Sequence, residues 1–336
     1  MSAAEAARRF NIQIYMNHKD VTEDIQEYIR ELTYTEVATG ETDSLDIVLY
    51  DEYNKWINEW LIDKGMKLEA KIRFSDWHAS GDERILDCGE HLCDSLKIKG
   101  YPLEVTIKSV AVPVNGTKNT KKWENISLSA IARDICGNLG CELEYYGDDI
   151  VLKSQQQSQQ TDINFLFRLC SDYGKGMKVH KSKIVIYSRE EQDAAMPVET
   201  VYIADISDSF TINDNAEGMY TGVKASYKPE NSDSTAEYTL GSQEKVIVLE
   251  NAGSTMQEAE IKAKAALYNT NIEGVKLSFT ASGDRAFYPG TNYYIYGMGL
   301  YSGAYAIERV VHSVKERGGY SMSVTAHAIA LEKDRT

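Results

Sequence analysis

The first third of the chain alternates between apolar and polar residues, which is the pattern of β-strands with one buried face. Neighbouring side chains on a strand point to opposite faces, so each alternating segment can bury one face and leave the other wet. A short helix or turn is predicted around Trp56 to Leu61. Repeated short strands are typical of a barrel or a sandwich, which leaves few exposed edges. The clearest strands are predicted over 11–16, 45–49, 66–72 and 103–107.

The hydrophobic period lengthens after Gly116, where two helices and a hairpin are predicted. Ser127 is placed to cap the first helix and Gly140 to end it; Thr161 and Gly174 bound the second. The hairpin follows over 177–187, and the glutamine run over 155–160 is interpreted as a linker or turn. Spacings of three and four residues define the two apolar helix faces, which are Leu128, Ile131, Ile135 and Leu139, and Phe165, Leu166, Leu169, Cys170 and Tyr173.

A mainly β pattern returns after a polar linker predicted over 188–195. It is interrupted by one helix, which begins with the capping box Thr255-Met-Gln-Glu258. In the closing strand over 320–328 one face is predicted to pack and the other to face water. The wet face is Ser321, Ser323, Thr325 and His327. We therefore predict a mainly β (α+β) chain with domains over 1–115, 116–190 and 191–336, the middle one a small α/β module.

The charge balance argues against nucleic-acid binding. Among 336 residues, 36 Lys and Arg stand against 51 Asp and Glu, a net charge of −15. A protein that holds phosphate backbones needs a basic face, so no stable nucleic-acid binding is expected. The 22 Tyr suit half-buried strands and wet interfaces. No stretch reaches the roughly 18 to 20 apolar residues of a membrane span, and residues 2–9 lack the apolar core of a signal peptide, so neither an anchor nor an export signal is expected.

The five cysteines are predicted to be reduced and structural. An odd number disfavours complete disulfide pairing. The segment Cys88-Gly-Glu-His91-Leu-Cys93 invites a zinc interpretation, because thiolates and imidazole are preferred zinc ligands. On a regular strand, however, Cys88 and Cys93 would point to opposite faces, so buried cysteines are the favoured interpretation. The sequons at Asn115 and Asn125 carry little weight without a secretory signal.

No catalytic, cofactor-binding or metal-binding residue is predicted. The chain has no nucleophile elbow, P-loop or His-Glu-x-x-His motif, and its Gly-x-Gly pairs at 174–176 and 297–299 are interpreted as turns. Paired carboxylates stay open, because acidic residues are abundant; Asp148-Asp149 is the example, although a solvated turn suits it better. Asp162, Asp205 and Asp208 are interpreted as cap or loop residues, and Lys118–Lys122 as a solvated basic loop. The histidines are interpreted as surface or strand-face residues: His18, His78, His91, His180, His312 and His327.

Short motifs in a fixed order give the chain a family resemblance. The first region carries Asp43-Ser-Leu-Asp-Ile-Val-Leu49, then Trp56 to Trp60 and Lys64-Gly-Met-Lys-Leu68. The middle region carries Gln157, then Thr161-Asp-Ile-Asn-Phe-Leu-Phe-Arg-Leu169 and Tyr173-Gly174. The last region carries Pro289-Gly290, Gly303-Ala-Tyr305, Val311-His-Ser313 and Gly319-Tyr320. In this order the motifs resemble those of the phage late control gene D family, the baseplate (tail) hub proteins of contractile tails and phage-like particles.

The resemblance implies an architectural role. Hubs of this family look like two tail-tube-like β-barrel domains with a small α/β module between them, assembled as homotrimers that join a sixfold tail tube to a threefold spike. The implied partners are the tube protein, the spike or needle protein, other baseplate proteins and the tape measure, in a virion or bacteriocin-like particle assembled in the bacterial cytoplasm. A threefold ring requires complementary, heterologous surfaces. A fused wall-degrading domain is not expected, because residues 320–330 form the closing strand.

Two other function classes remain open. One is a peptidoglycan hydrolase that works through two of the many carboxylates. The other is a glycan-binding module, because the segment over 123–190 has a small set of helices and strands like that of LysM-like wall binders.

A further hypothesis concerns the bore of a ring: if Ser321, Ser323, Thr325, His327 and carboxylates line it, the wall would repel DNA phosphates.

Overall fold

The computed structural model describes residues 8–77, 80–113, 116–229, 233–281, 286–317 and 319–335. The predictions at His78, at Asn115 and for the first seven residues lie outside these ranges. In the first region, seven strands accompany the short helix α1 (Thr22–Ile25) and a 3₁₀ turn, Gln26–Tyr28. The strands are β1 (Arg9–Met16), β2 (Lys19–Asp20), β3 (Ile29–Val37), β4 (Ser44–Tyr50), β5 (Lys67–Ser75), β6 (Glu83–Lys99) and β7 (Glu104–Ala111).

The middle region is an α/β module with two helices, α2 (Leu128–Leu139) and α3 (Asp162–Asp172). Ser127 caps α2 through Ala130 N, and Gly140 ends it at a φ of 68°, so both predicted boundaries are confirmed. Thr161 caps α3 through Asn164 N, as predicted. The strands of this module are β8 (Lys118–Ser127), β9 (Glu142–Tyr145), β10 (Val151–Thr161), β11 (Lys175–His180) and β12 (Lys183–Ser188).

The last region contains three helices, α4 (Arg189–Ala194), α5 (Ile203–Ile206) and α6 (Met256–Asn271). Short 3₁₀ turns lie at Gly299–Tyr301 and Glu332–Arg335. Thr255 caps α6 through Glu258 N, which confirms the predicted start of that helix. Its strands are β13 (Glu199–Tyr202), β14 (Phe210–Asp214), β15 (Gly222–Tyr227), β16 (Ala236–Gly241), β17 (Val246–Leu249), β18 (Val275–Ala281), β19 (Asn292–Tyr296), β20 (Gly303–Lys315) and β21 (Gly319–Leu331).

The first and last regions share one sheet. Its strands follow the order β14-β18-β21-β20-β3-β4-β7-β6-β5-β1-β2, and β19 and β13 branch from β20. The two regions are joined where β3 pairs with β20, with Tyr34 opposite His312. The inward side chains of both regions form one apolar core. A mainly β fold is therefore confirmed, and the β-rich ends of the chain meet through a continuous hydrogen-bonded ladder.

The sheet is strongly curled. The rings of Phe74 on β5 and Tyr320 on β21 lie 4.7 Å apart, although five strands separate β5 from β21 along the sheet. Tyr34 on β3 likewise meets His91 on β6 at 5.9 Å. Only a sheet that folds over itself brings such strands face to face. Among the described residues the hydrogen-bonded path stays open, so two closed barrels are not confirmed.

Two smaller units project from this sheet. The middle module buries its own core around α2 and α3, with Trp123 stacked on Phe165 at 5.2 Å. The second unit packs α6 against the sheet β16-β15-β17 through Ala259 and Ala263. Ala265 of α6 is buried as well. The sequence did not reveal that β15–β17 form a sheet of their own.

Three segments predicted to be irregular are regular. The glutamine run lies in β10, where it pairs with β8; Gln157 is buried and donates to Asp162 Oδ1 at 2.8 Å. The same pairing makes the predicted basic loop over 118–122 part of β8. The predicted linker over 188–195 is the helix α4, capped by Ser188 through Glu191 N. These predictions were wrong because polar side chains conceal both the pairing of β10 with β8 and the local capping of α4 by Ser188.

Candidate interaction surfaces and buried polar clusters

An apolar rim surrounds one end of the curled sheet. Asp51 is 1% exposed, and its carboxylate accepts hydrogen bonds from Lys55 N and Trp56 N at 2.7 and 2.8 Å. Asp51 N also donates to Leu103 O, which ties the β4–β5 loop to the β6–β7 loop. Held this way, the two loops and the end of β6 expose large apolar side chains at the same end of the sheet. We call this set the loop rim: Tyr53, Ile57, Leu61, Ile98 and Tyr101.

A second apolar surface lies along the short strand β13. This strand runs parallel to β19, and no other described strand pairs with it, so one of its backbone edges is open. The ring of Tyr202 packs against Tyr296 at 5.0 Å and over Gly297, where a side chain would collide with it. Open edges and large exposed apolar groups are typical of protein–protein contacts. We call this set the edge patch: Met196, Val198, Tyr202, Tyr296 and Leu300.

A buried charge fixes the middle module to the sheet. Asp43, which opens the first motif of the family resemblance, is 1% exposed. Its carboxylate accepts from Val37 N at 2.9 Å, and Lys178 Nζ and His180 Nδ1 of the β11–β12 hairpin lie 3.3 and 3.4 Å away. Tyr187 of the same hairpin donates to Ala38 O at 3.0 Å. Sequence reasoning found the motif but missed that its aspartate anchors a distant hairpin.

A second buried cluster joins α4, α6 and the sheet. We call it the His327 cluster: Asp193, Tyr268, Lys276, Glu308 and His327. His327 is 5% exposed, with Nδ1 2.9 Å from Glu308 Oε1 and Nε2 3.4 Å from Asp193 Oδ2. Tyr268 donates to Asp193 at 2.6 Å, and Lys276 Nζ contacts Glu308 at 2.6 Å. His327 was predicted on a wet face; that is wrong, because α4 and α6 cover this end of β21.

The cluster shifts the protonation of its own members. Burial alone would lower the pKa of His327, but hydrogen bonds and charges from Asp193 and Glu308 raise it above the ordinary value. Burial likewise opposes the charged form of Glu308, yet His327 and Lys276 hold the pKa of that carboxyl below its usual range. Both shifts favour the charged forms, so the ion pairs stabilise the junction between the helices and the sheet.

The segment considered for zinc is a buried part of β6. Between β5 and β6, Glu69 pairs with Glu90 and Lys71 with Asp87, so Cys88 and Gly89 oppose a single residue and form a bulge. The bulge reverses the alternation, and Cys88, His91 and Cys93 are all buried. The expectation of opposite faces for the two cysteines was therefore wrong. Among the described residues their ligand atoms do not gather at metal-binding distance. Burial lowers the pKa of His91 to about 4, so its ring is neutral.

The carboxylates considered for catalysis have structural contacts or lie apart. Asp149 accepts from Ser129 N and Oγ at 3.0 and 2.6 Å and so supports the start of α2, beside an exposed Asp148. Asp162 is buried on α3 and accepts from Asn119 Nδ2 at 2.9 Å. Asp205 lies inside α5 rather than at a cap, and Asp208 is an exposed loop residue. Asp162, Asp205 and Asp208 are not gathered around one cleft.

An open groove of about 1010 Å³ lies between the middle module and α6. Its walls combine apolar residues with charges of both signs. The polar lining includes Asp148, Tyr173, Lys175, Glu190 and Glu191. In the part of the chain that the structure describes, no helix is long and apolar enough to cross a bilayer.

No family model matches the chain, but two curated relatives do. The "Probable baseplate hub protein" of Escherichia phage P2 is 26% identical over 225 residues, which are 64% of this chain and 55% of that protein. The protein of the same name from Escherichia phage 186 is 24% identical over 222 residues, 63% of this chain and 54% of that protein. The chain is similar to these phage baseplate hub proteins. The family resemblance predicted from the motifs is confirmed, and the match spans about half the length of these relatives.

Solved tail proteins share the fold of this chain. The tail protein from Neisseria meningitidis MC58 superposes with a TM-score of 0.71 at 11% identity, covering 95% of this chain and 96% of that one. The 43 kDa tail protein of prophage MuSo2 from Shewanella oneidensis gives 0.69 at 12%, covering 96% and 99%. A type VI secretion component of E. coli, described as similar to the T4 tail proteins gp27 and gp5, gives 0.53 at 11%, covering 95% and 76%.

Proposed function

We propose that the chain is a structural hub protein of a phage or phage-like tail, a homotrimer that joins a sixfold tube to a threefold spike. The observation that carries the proposal is the combination of two relatives named as hub proteins with a tail-protein fold along nearly the whole chain. Each chain would contribute two barrel-like units, one built around β3–β7 and one around β18–β21, so that three chains present six. The middle module, over 116–190, would project from this ring.

The two apolar surfaces give the proposal its contacts. The edge patch combines an open strand edge with exposed side chains such as Met196, 88% exposed, and suits a neighbouring copy. A threefold ring needs a heterologous contact, so this patch would meet a different surface of the next chain. The loop rim then remains for a tube, spike or other baseplate protein, including the tape measure. The acidic surplus keeps the ring from holding DNA, whether or not carboxylates line its bore.

The oligomeric state tests the assembly directly. Light scattering of the purified chain should give about three times its mass of 37.7 kDa, alone or with purified tube and spike proteins. Val198→Asp in the edge patch should yield monomers, because the new carboxylate would lose its hydration when the contact between copies forms. Val248→Asp is the matched control, since Val248 is equally exposed on the separate sheet. A wild-type monomer that does not bind tube and spike proteins would refute the proposal. A trimer unaffected by Val198→Asp would exclude the edge patch as the contact between copies.

The role we propose is architectural and not enzymatic. A hydrolase would need two carboxylates facing one cleft, and Asp149 and Asp162 are occupied with capping and buried hydrogen bonds. The test is release of soluble fragments from purified peptidoglycan by the full chain. Turnover that is lost on substitution of any acidic residue would overturn the architectural assignment.

Glycan binding is the second candidate, and the groove beside the middle module favours it. Apolar residues and mixed charges along an open groove of this size suit a sugar chain better than a flat interface does. Sedimentation with purified cell wall tests it: binding that Leu240→Trp blocks would support a glycan site. Absence of sedimentation at high wall excess would remove this candidate and leave the hub proposal untouched.

A further inference from the structure

The tip of the first hairpin brings an imidazole and two carboxylates together. His18 lies in the turn between β1 and β2, and both Asn17 and His18 have positive φ values, 47° and 65°. Asn17 is fixed to β5, because its N donates to Lys67 O and its Oδ1 accepts from Lys67 N. The turn therefore holds the His18 ring over the sheet, where Nδ1 lies 2.8 Å from Glu69 Oε1 and Nε2 3.7 Å from Glu90 Oε2.

The two glutamates are direct neighbours across the β5–β6 ladder. Like charges in this position repel each other, and a cation between them would relieve the repulsion. The ligand atoms of His18, Glu69 and Glu90 lie within 4.8 Å of one another. The Glu69 and Glu90 side chains are 28% and 23% exposed, so an ion can reach them from solvent. Within the described residues, this is the one group of His, Cys, Asp or Glu with such convergence.

We propose that His18, Glu69 and Glu90 form a divalent metal site selective for Zn²⁺. One imidazole nitrogen and two carboxylate oxygens suit Zn²⁺, which binds N and O ligands at about 2.0 to 2.2 Å with a fourth position open to water. Ligand atoms of a tetrahedral site are roughly 3.3 Å apart, so the half-exposed side chains need only small rotations to close on the ion. Mg²⁺ binds weakly, because it prefers an all-oxygen, octahedral shell.

The Lys67 ammonium is the built-in competitor of the ion. Its Nζ lies 3.1 Å from Glu90 Oε1, where it neutralises part of the acidic charge. A bound Zn²⁺ would displace this amine and link the hairpin tip to β5 and β6. Replacing Lys67 with Gln removes this competitor and should therefore strengthen metal binding.

Calorimetric titration with ZnCl₂ tests the site on the full chain. We expect one saturable site in the wild type, affinity at least about tenfold weaker in His18→Ala and Glu90→Gln, and tighter binding in Lys67→Gln. His180→Ala is the matched control, since His180 is half-exposed and also beside a carboxylate. Absence of saturable binding in the wild type, or binding that survives His18→Ala, would overturn the proposal.

A spectroscopic readout separates the site from a nonspecific surface effect. Co²⁺ in a tetrahedral N/O site has strong visible absorption, and Zn²⁺ should bleach it at one equivalent. The unfolding temperature should rise with Zn²⁺ in the wild type and not in His18→Ala, because a ligand that binds only the folded state stabilises it. A Co²⁺ spectrum unchanged from that of the aqueous ion would count against the proposal even if calorimetry detected heat.

Discussion

The interior of the middle module and its contact with the sheet are stabilised by different interactions. Inside the module, buried apolar groups such as Phe165 and Ile135 pack around a stacked Trp123. At its seam with the sheet, the contacts are hydrogen bonds and ion pairs around Asp43. Apolar packing tolerates no partial opening, whereas a polar seam can exchange its partners for water. The comparison suggests a unit that can undock without unfolding.

The largest expected effect comes from breaking the module from within. Phe165 is fully buried against Trp123, so Phe165→Ala should lower the free energy of unfolding of the module by about 3–5 kcal/mol. Hydrogen exchange over 128–139 should accelerate strongly, because α2 shares this core. Phe210→Ala is the control, since Phe210 is 41% exposed on the edge strand β14. Equal losses from both variants would contradict an independent apolar core.

Breaking the seam between the module and the sheet should lower the free energy of unfolding by less, and the effect should appear in a different part of the module. Asp43→Asn removes the charge that Lys178 and His180 approach, and a hydrogen bond to a charged group is worth about 1.5–3 kcal/mol. We expect faster exchange in the β11–β12 hairpin while α2 keeps its protection. The control is Asp87→Asn, whose ion pair with Lys181 is half-exposed and should contribute no more than about 1 kcal/mol. Loss of protection in α2 would show that seam and core are one unit.

The sequence predicted what is local and missed what depends on distant partners. The ends of α2 followed from Ser127 and Gly140, because capping and a left-handed residue act within one turn of chain. The glutamine run became a strand only through pairing with β8, and His327 is buried only because α4 and α6 cover it. Its burial changes a supposed wet strand face into a charged junction. The anchoring role of Asp43 needed both halves of the contact, which are about 135 residues apart.

The His327 cluster gives the junction of α4, α6 and the sheet a pH dependence of defined sign. The pKa of His327 is raised in the folded state, so its contribution is complete below its unfolded value and is lost as the pH rises through the folded value. Exchange in α4 should therefore be faster at pH 9 than at pH 6. Lys276 still pairs with Glu308 at high pH, so the effect should be smaller than that of Asp43→Asn.

His327→Gln tests this assignment, because glutamine keeps hydrogen-bonding capacity without a titratable charge. The α4 exchange rate of this variant, corrected for intrinsic chemistry, should be the same at pH 6 and pH 9. The other charged groups lining the same cavity are Arg189, Glu41, Glu273 and Arg309. A pH response that persists in His327→Gln would assign the switch to another group.

The smallest effect should come from an ion pair outside both core and seam. Lys264 and Glu260 lie one turn apart on α6 at 2.9 Å, with side chains 57% and 38% exposed. Water screens such a pair, so Glu260→Gln should change the free energy of unfolding by no more than about 0.5 kcal/mol. Urea denaturation at low and high salt measures it. A loss of unfolding free energy comparable to that of Asp43→Asn would contradict this comparison. It would mean that burial of a charged group does not distinguish the seam from the surface.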